Sequence, residues 1–394
     1  MIAVILNDLL YCLTLFLYYI KNKKIDIYFF ILSVYTVTAL LCSQYYFQSP
    51  EKWHLSAFNF VYLFVVLLIF LQPFKSRSIS IDTIYIKETK LVKFLSWIYI
   101  FCSFVAIYYT LPDTIALFQG GNWGALRADL YAGENIQLYH SSIERIAKNI
   151  SSYLSNFAGI MAFYHLTKSS VDKKMTILLF ISWVVPSFLA STIVASRGMV
   201  VHLILKIILL YIIFRNDIPK SRKKYLYIPT VAAFAGLIAY TIIVSVSRFG
   251  EDEASSSAFY YLSHSMLAFN DGLMGHIHSY TNGSYFFSWL LNIVGLDGSY
   301  NLDNLGGTWG TAFITFIGCL YFDFGPIGTI VFAIINNLMI YAIVKRNSYD
   351  LADISLIVFF AAYFLNGVFV SGPGGVISYL MAYVVYKILK ISQL

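Results

Sequence analysis

Apolar residues fall in eleven stretches along the 394-residue chain, each closed by a polar segment: 2–20, 27–47, 55–73, 91–111, 151–167, 175–195, 199–214, 225–246, 326–344, 354–370 and 376–390. A bilayer core takes about 20 apolar residues per helix, so the pattern predicts an all-α polytopic membrane protein with about 11 transmembrane helices. Residues 1–394 are read as a single integral membrane domain. A twelfth apolar run, 311–322, is too short to cross, and the sides on which neighbouring segments fall demand a single crossing after it. It is read as a re-entrant or interfacial helix near 311–322, ended at Asp323-Phe324-Gly325-Pro326, with Pro326 opening the next span in a first-turn position.

Charge orients the spans. Of 27 Lys and Arg, 20 lie in or beside the connections that follow odd-numbered spans and the C-terminal end, six on the other face, and one, Lys206, inside a helix. Short positively charged connections stay cytoplasmic, so the N-terminus is expected outside and the C-terminus in the cytoplasm. The same two faces carry seven and 13 acidic residues, respectively. The net charge of +7 therefore reports topology and attraction to anionic lipid, not nucleic acid. Lys21, Lys23 and Lys24 follow the first apolar stretch and none precedes it, the pattern of an uncleaved anchor.

The four cysteines, Cys12, Cys42, Cys102 and Cys319, all sit in apolar stretches, which argues against a disulfide framework or a thiolate metal site. The cytoplasmic connections are short and hold no phosphate-binding glycine loop, so neither ATP nor another cofactor is expected. Two outward loops are long, 112–150 and 247–310, and polar material of that length is where a membrane protein usually carries its chemistry.

Arg127, Arg145, Arg197 and Arg248 are the outward arginines. A guanidinium is permanently charged and grips phosphate oxygens in a bidentate fork, and the low dielectric of a membrane surface strengthens that grip. Ser196-Arg197-Gly198 is the whole connection between two spans, which puts Arg197 at headgroup depth, where a lipid pyrophosphate would lie. Arg248 stands at the end of its span, next to Glu251, Asp252 and Glu253; either arginine also fits a plain lipid-headgroup anchor. In the first loop a helix over 122–131 sets Trp123, Arg127 and Tyr131 on one face, and a second, amphipathic helix over 136–150 lines up Ile136, Ile143, Ile146 and Ile150. Arg145 beside Glu144 is the weakest arginine, and replacing Lys148 is expected to be nearly silent.

The second loop is rich in aromatics, Trp289 and Trp309 among them, whose faces suit sugar rings as well as the headgroup level of a bilayer. His264, His276 and His278 lie there too, and a helix over 257–270 would present His264 to a cavity as a general base. His276 and His278 with Asp271 lack the spacing of a metal site, and no metal is expected. Lys206 shares a helix face with His202 and is read as a structural contact with it or as snorkelling towards the cytoplasm, and Asp323 is read as a turn residue.

Ala195-Ser196-Arg197-Gly198 opening a helix, Arg127 in a glycine-bearing outward loop, and Gly307-Thr308 through Asp323-Phe324-Gly325-Pro326-Ile327-Gly328 after the large loop together resemble the oligosaccharide repeat-unit polymerases, the O-antigen polymerase family. The resemblance implies a glycosyltransferase in the bacterial cytoplasmic membrane that joins undecaprenyl-pyrophosphate-linked oligosaccharide units into O-antigen or capsular-type polysaccharide. It also implies a chain-length regulator and a flippase of the same pathway as partners. Arg197 and Arg248 would neutralise the departing pyrophosphate, His264 would take the acceptor proton, and Arg127, Tyr131, Trp289 and Trp309 would hold the substrate. An O-antigen ligase shares donor and architecture; a lipid-linked oligosaccharide flippase would show paired repeats and short external loops, which this chain lacks.

Overall fold

The computed structural model describes residues 1–76, 83–120, 123, 125, 139–168, 172–194, 196–249, 263–277, 279–300, 314–369 and 374–393. Side chains at 224–230, 232–233, 237 and 247–249 lie outside this description. The described chain is helical: α1 Ile2–Asn22, α2 Ile27–Gln48, α3 Ala57–Ser76, α4 Lys90–Gly120, α5 Ser142–Tyr153, α6 Ser155–Thr167, α7 Lys173–Ile193, α8 Arg197–Phe214, α9 Lys220–Phe249, α10 Ser284–Ile293, α11 Thr315–Val344, α12 Leu351–Asn366 and α13 Gly375–Ser392. Among the described residues eight helices (α1 to α4, α7, α8, α11 and α13) are long and apolar enough to cross a membrane, so the protein is a multi-pass membrane protein.

Two compact units form. One comprises Met1–Ile79, Ala258–Asn347 and Phe360–Tyr383; the other comprises Ser80–Ser257, Ser348–Phe359 and Val384–Leu394. In the first, α1 packs on α2 and α3, and α3 lies along α11. Its helices turn large apolar side chains outward, such as Leu9, Leu13, Phe16 and Leu17 on α1, while Asn7, Tyr11 and Tyr18 face in. That inversion is what a bilayer permits, because lipid takes the apolar face and protein partners take the polar one. Tyr35 accordingly donates to the Phe364 carbonyl at 3.0 Å, and Tyr62 to the Pro326 carbonyl at 2.7 Å.

In the second unit α4 lies along α7, and α6 packs against α7 and α8. Gly159 on α6 permits this: a Cβ there would stand 2.8 Å from both Leu210 and Trp183. The Trp183 indole donates to Ser155 at 3.1 Å.

Three stretches depart from the pattern read in the sequence. The run 151–167 is two helices: α5 ends at Leu154 (φ −88°, ψ 4°) and α6 has 13 residues, below the length of a span. Phe157 through Phe163 are all buried, so protein rather than lipid covers α6, which explains its all-round apolar sequence. Next, α4 does not stop at Leu111 but runs through Pro112 to Gly120, so the segment read as a loop from 112 starts as helix. Proline forfeits one donor there, and Thr114 ties the extension down with a 2.9 Å hydroxyl contact to Thr192. Third, the helix expected over 257–270 as a surface element is described from residue 263, and residues 263–273 are buried throughout, continuing into a π-helical turn at Ala268–Leu273. Asn270 makes that burial tolerable by exchanging hydrogen bonds with the Ser56 backbone, 2.8 Å each way.

The break expected at Asp323-Phe324-Gly325-Pro326 is present. α11 is two helical pieces joined at Gly325, whose φ of 69° and ψ of −177° no helix contains. The left-handed φ favours glycine, and a Cβ there would also press the Tyr280 ring at 3.2 Å. The piece before the break is buried from Thr315 to Asp323.

Candidate functional site

Arg197 is the first residue of α8. Its Nη1 donates to Ser245 Oγ on α9 at 2.5 Å, and α8 packs along α9. One turn on, Val200 joins a buried cluster with Trp123, Tyr240 and Val244, flanked by Leu117 and Phe188. Trp123 meets Tyr240 edge-on at 5.8 Å and Phe118 at 5.3 Å, and the Tyr240 hydroxyl donates to the Ser191 carbonyl at 2.9 Å. The guanidinium is thus tied to the Ser245 hydroxyl, the residue after Val244 of that cluster.

The local electrostatics run against this placement. A helix N-terminus carries partial positive charge, so a cation in its first turn is unfavourable there and an anion is favourable. Ser196, in the capping position, makes no side-chain cap to the α8 amides, and the space beside Gly198 is open but for Ser196 Oγ at 3.9 Å. A helix N-terminus that its capping residue leaves without a side-chain cap, with a guanidinium beside it and an approachable glycine, has the chemistry that suits an anion. In the sequence the Ser-Arg-Gly tripeptide signalled the charge; the Ser245 brace is tertiary and left no local signal.

Arg248 belongs to the last turn of α9, three residues beyond Ser245, with its side chain outside the described residues. Arg127, Tyr131, Trp309 and His278 also lie outside the described residues. Arg197 and Arg248 fall in one unit, His264 and Trp289 in the other.

His264 is 2% exposed, set edge-on between Trp53 at 5.4 Å and Tyr45 at 6.4 Å. Burial pushes its pKa down to about 4, so it is neutral at physiological pH. Trp289 on α10 is 44% exposed, in a row with Leu290, Ile293, Val294 and Leu296, while Tyr285 and Phe286 turn inward. His276 is occupied locally, its Nδ1 2.8 Å from the Asp271 carbonyl.

Two arrangements were not readable in the sequence. The fully buried Asp323 carboxylate accepts from the amides of Gly283 (2.9 Å), Tyr285 (3.2 Å) and Phe286 (2.8 Å) and from the Thr281 hydroxyl. It caps the N-terminus of α10 from another helix, placing negative charge where the helix dipole favours it. Asp323 is therefore structural, as its turn position implied, but its reach to residues 281–286 is longer than a turn. On α5, Glu144 is 1% exposed and pairs with Lys148 at 2.5 Å, while Ile143 and Ile146 face outward. Replacing Lys148 would remove the cation beside a buried carboxylate that the His140 amide still engages, a cost in stability; the expected silence of that replacement concerns activity. Just before α5, His140 pairs with Asp113 at 2.8 Å, a contact that draws its pKa upward.

Comparison of the chain with protein-family models, with characterised proteins and with solved structures gives no match.

Proposed function

We propose that the protein is a glycosyltransferase that polymerises undecaprenyl-pyrophosphate-linked oligosaccharide repeat units at the outer face of a bacterial cytoplasmic membrane. The observation that carries this reading is the start of α8 at Arg197: a guanidinium donating to Ser245 at a helix N-terminus to which Ser196 gives no side-chain cap, with open space at Gly198. A pyrophosphate leaving group asks for such a site, with donors fixed before charge develops. Arg248, in the last turn of the helix that supplies Ser245, is the second cation of the clamp. Arg127, Tyr131, Trp289 and Trp309 are the substrate-binding residues; the burial of His264 removes the surface-helix reason for choosing it as the base.

In this reading the chain crosses the membrane eleven times, the crossing at 151–167 being made by the protein-covered α6 with the end of α5, and the N-terminus lies outside and the C-terminus in the cytoplasm. The segregation of 20 cations against six supports that orientation. The buried piece of α11 before Gly325 then enters the membrane from outside and turns back. The flippase supplies the lipid-linked unit, and the chain-length regulator sets how often the transfer repeats.

The acceptor hydroxyl attacks the anomeric carbon of the growing chain, the bond to undecaprenyl pyrophosphate breaks, and the hydroxyl proton passes to the base. Purified protein given lipid-linked repeat units should lengthen them and release undecaprenyl pyrophosphate. Deleting the gene should reduce a ladder of long surface chains to a single repeat unit. Accumulation of lipid-linked polymer with loss of all surface attachment would identify a ligase instead, and retention of units on the cytoplasmic face would identify a flippase.

A further inference from the structure

In the second unit α5 divides its surface three ways, read at about 100° per residue. Glu144, Ala147 and Ser151 are buried, with Lys148 turned onto Glu144 at 2.5 Å. Ile143, Ile146 and Tyr153 make an exposed apolar face. Arg145, Asn149 and Ser152, spaced at i, i+4 and i+7, make a third face that is exposed and wholly polar. The Arg145 guanidinium has no hydrogen-bond or ion-pair partner among the described residues. Its neighbour Glu144 does not serve, because the Lys148 ammonium and the His140 amide hold that carboxylate.

Three contacts fix the course of this helix. Ahead of its first turn His140 pairs with Asp113 of α4 at 2.8 Å; near its end Ser151 accepts from Ser103 of α4 at 3.4 Å; just past it Ser155 accepts from the Trp183 indole at 3.1 Å. At 1.5 Å per residue, about 15 Å of α4 separates Asp113 from Ser103. So α5 runs antiparallel to α4, along which it packs, and does not lie flat on the membrane as an interfacial helix does. α4 is long and apolar enough to cross, and the half-exposed Asp113–His140 pair belongs at headgroup level. Ser103 then lies halfway through a hydrocarbon core of about 30 Å. Arg145 stands roughly 8 Å below the Asp113 level, Asn149 one turn deeper and Ser152 near the middle. At such depth a polar face turned to acyl chains is costly, so this face meets water or a polar ligand.

We propose that the polar face of α5 walls a water-filled groove, open on the side of the membrane where α4 ends, and that the groove takes the phosphate headgroup of a membrane lipid. Arg145 grips the phosphate with its forked donors, Asn149 bonds the head one turn deeper, and Ser152 marks how far water reaches. The lipid's chain lies along the adjoining apolar face, at Ile146 and Tyr153. That face beside the cation is what favours a lipid over free phosphate, since it adds apolar contact to the charge. The site uses none of the residues assigned to glycosyl transfer, and its test uses no lipid-linked sugar.

Single cysteines are placed in the full chain with its four native cysteines replaced, and the protein is held in an uncharged maltoside detergent, which opens both sides to reagent. Labelling rates with a trimethylammonium thiosulfonate are then compared. Asn149→Cys and Ser152→Cys should react within about tenfold of Ser142→Cys at the exposed start of α5, and Ile146→Cys about a hundredfold more slowly, because a thiol among apolar chains stays protonated. Phosphatidylglycerol should slow Asn149→Cys about tenfold in a saturable way, and Arg145→Gln should abolish that protection. Inorganic phosphate and diacylglycerol, each lacking one half of the lipid, should not protect at the same concentration. Asn149→Cys reacting as slowly as Ile146→Cys overturns the groove. Absence of protection, or protection that survives Arg145→Gln, overturns the headgroup site. Equal protection by inorganic phosphate or by diacylglycerol overturns the lipid as occupant. Arg145, Asn149 and Ser152 are all exposed, so these substitutions leave the fold intact.

Discussion

Replacing Asp323 tests how α10 is held. Its carboxylate accepts four hydrogen bonds in a fully buried setting, three of them from backbone amides that cannot turn away. In Asp323→Ala those amides lose a charged acceptor, and water has no access to replace it. Each such loss costs about 1–3 kcal/mol, but the segment relaxes, so the net cost is about 4 kcal/mol. Spread over the unfolding entropy of a 394-residue chain, that lowers the thermal midpoint by roughly 5 °C. Asp323→Asn keeps Oδ1 for Thr281, Gly283 and Tyr285 but turns an amide group toward the Phe286 N–H, donor against donor, and should cost about half as much. The assay is thermal unfolding of purified protein in detergent, with Trp289 emission as a local reporter of α10 and Asp297→Asn, at an exposed site, as control. The expected order of stability is wild type, then Asn, then Ala. An Asp323→Ala protein that melts with the Asp297→Asn control would refute the capping argument.

Arg197→Lys should lose chain transfer nearly as badly as Arg197→Ala, on the order of a hundredfold, because an ammonium keeps the charge but not the fork. Neither change should lower thermal stability much, since Arg197 stands at the positive end of α8; loss of folding with loss of activity would make it a structural residue. Lys148→Ala should destabilise by about 3 kcal/mol through the stranded Glu144, and adding Glu144→Gln should recover most of it; a silent single substitution would show that Glu144 is not buried. His264 binds its proton more weakly folded than unfolded, so stability should fall with falling pH from about 6.5 toward 4, by up to about 3 kcal/mol, and His264→Asn should flatten that slope. If His264 is also the base, chain transfer should stay flat between pH 5 and 8; an inflection near 6.5 assigns the base elsewhere. In a background with its four cysteines replaced, Ser299→Cys should react with an impermeant thiol reagent from outside, and Ser221→Cys only once the membrane is opened; the reverse pattern inverts the topology.

Spans were legible wherever length and apolarity act alone, as in α1, α2, α3 and α8, because the bilayer reads only those two properties. Legibility failed where protein takes the place of lipid. The run 151–167 is apolar all round because neighbouring helices cover it, and the turn at Leu154 that divides α5 from α6 left no mark in that apolar pattern. Pro112 misled as punctuation because its lost donor is offset by threonine contacts contributed from α7. The Gly325 break was readable, since Asp-Phe-Gly-Pro combines a left-handed residue with a proline that can only start a helix. Arg197 was singled out through its charge and its place between two spans, both of which are local. The burial of His264 between Trp53 and Tyr45, like the reach of Asp323 to residues 281–286, depends on segments far apart in the chain, and periodicity carries no trace of them.

The Asp323 cap also constrains the order in which the chain is made. Its donors, at 281–286, leave the ribosome about 40 residues before the carboxylate does, and the translocating channel handles them first. Until Asp323 arrives, α10 has an open N-terminus whose amides only water can satisfy, so that helix cannot settle into its apolar surroundings. Its docking is thereby deferred until the first half of α11 has emerged, and a chain stalled before residue 323 would expose Phe286 and Tyr285 to whatever quality-control protease patrols the membrane.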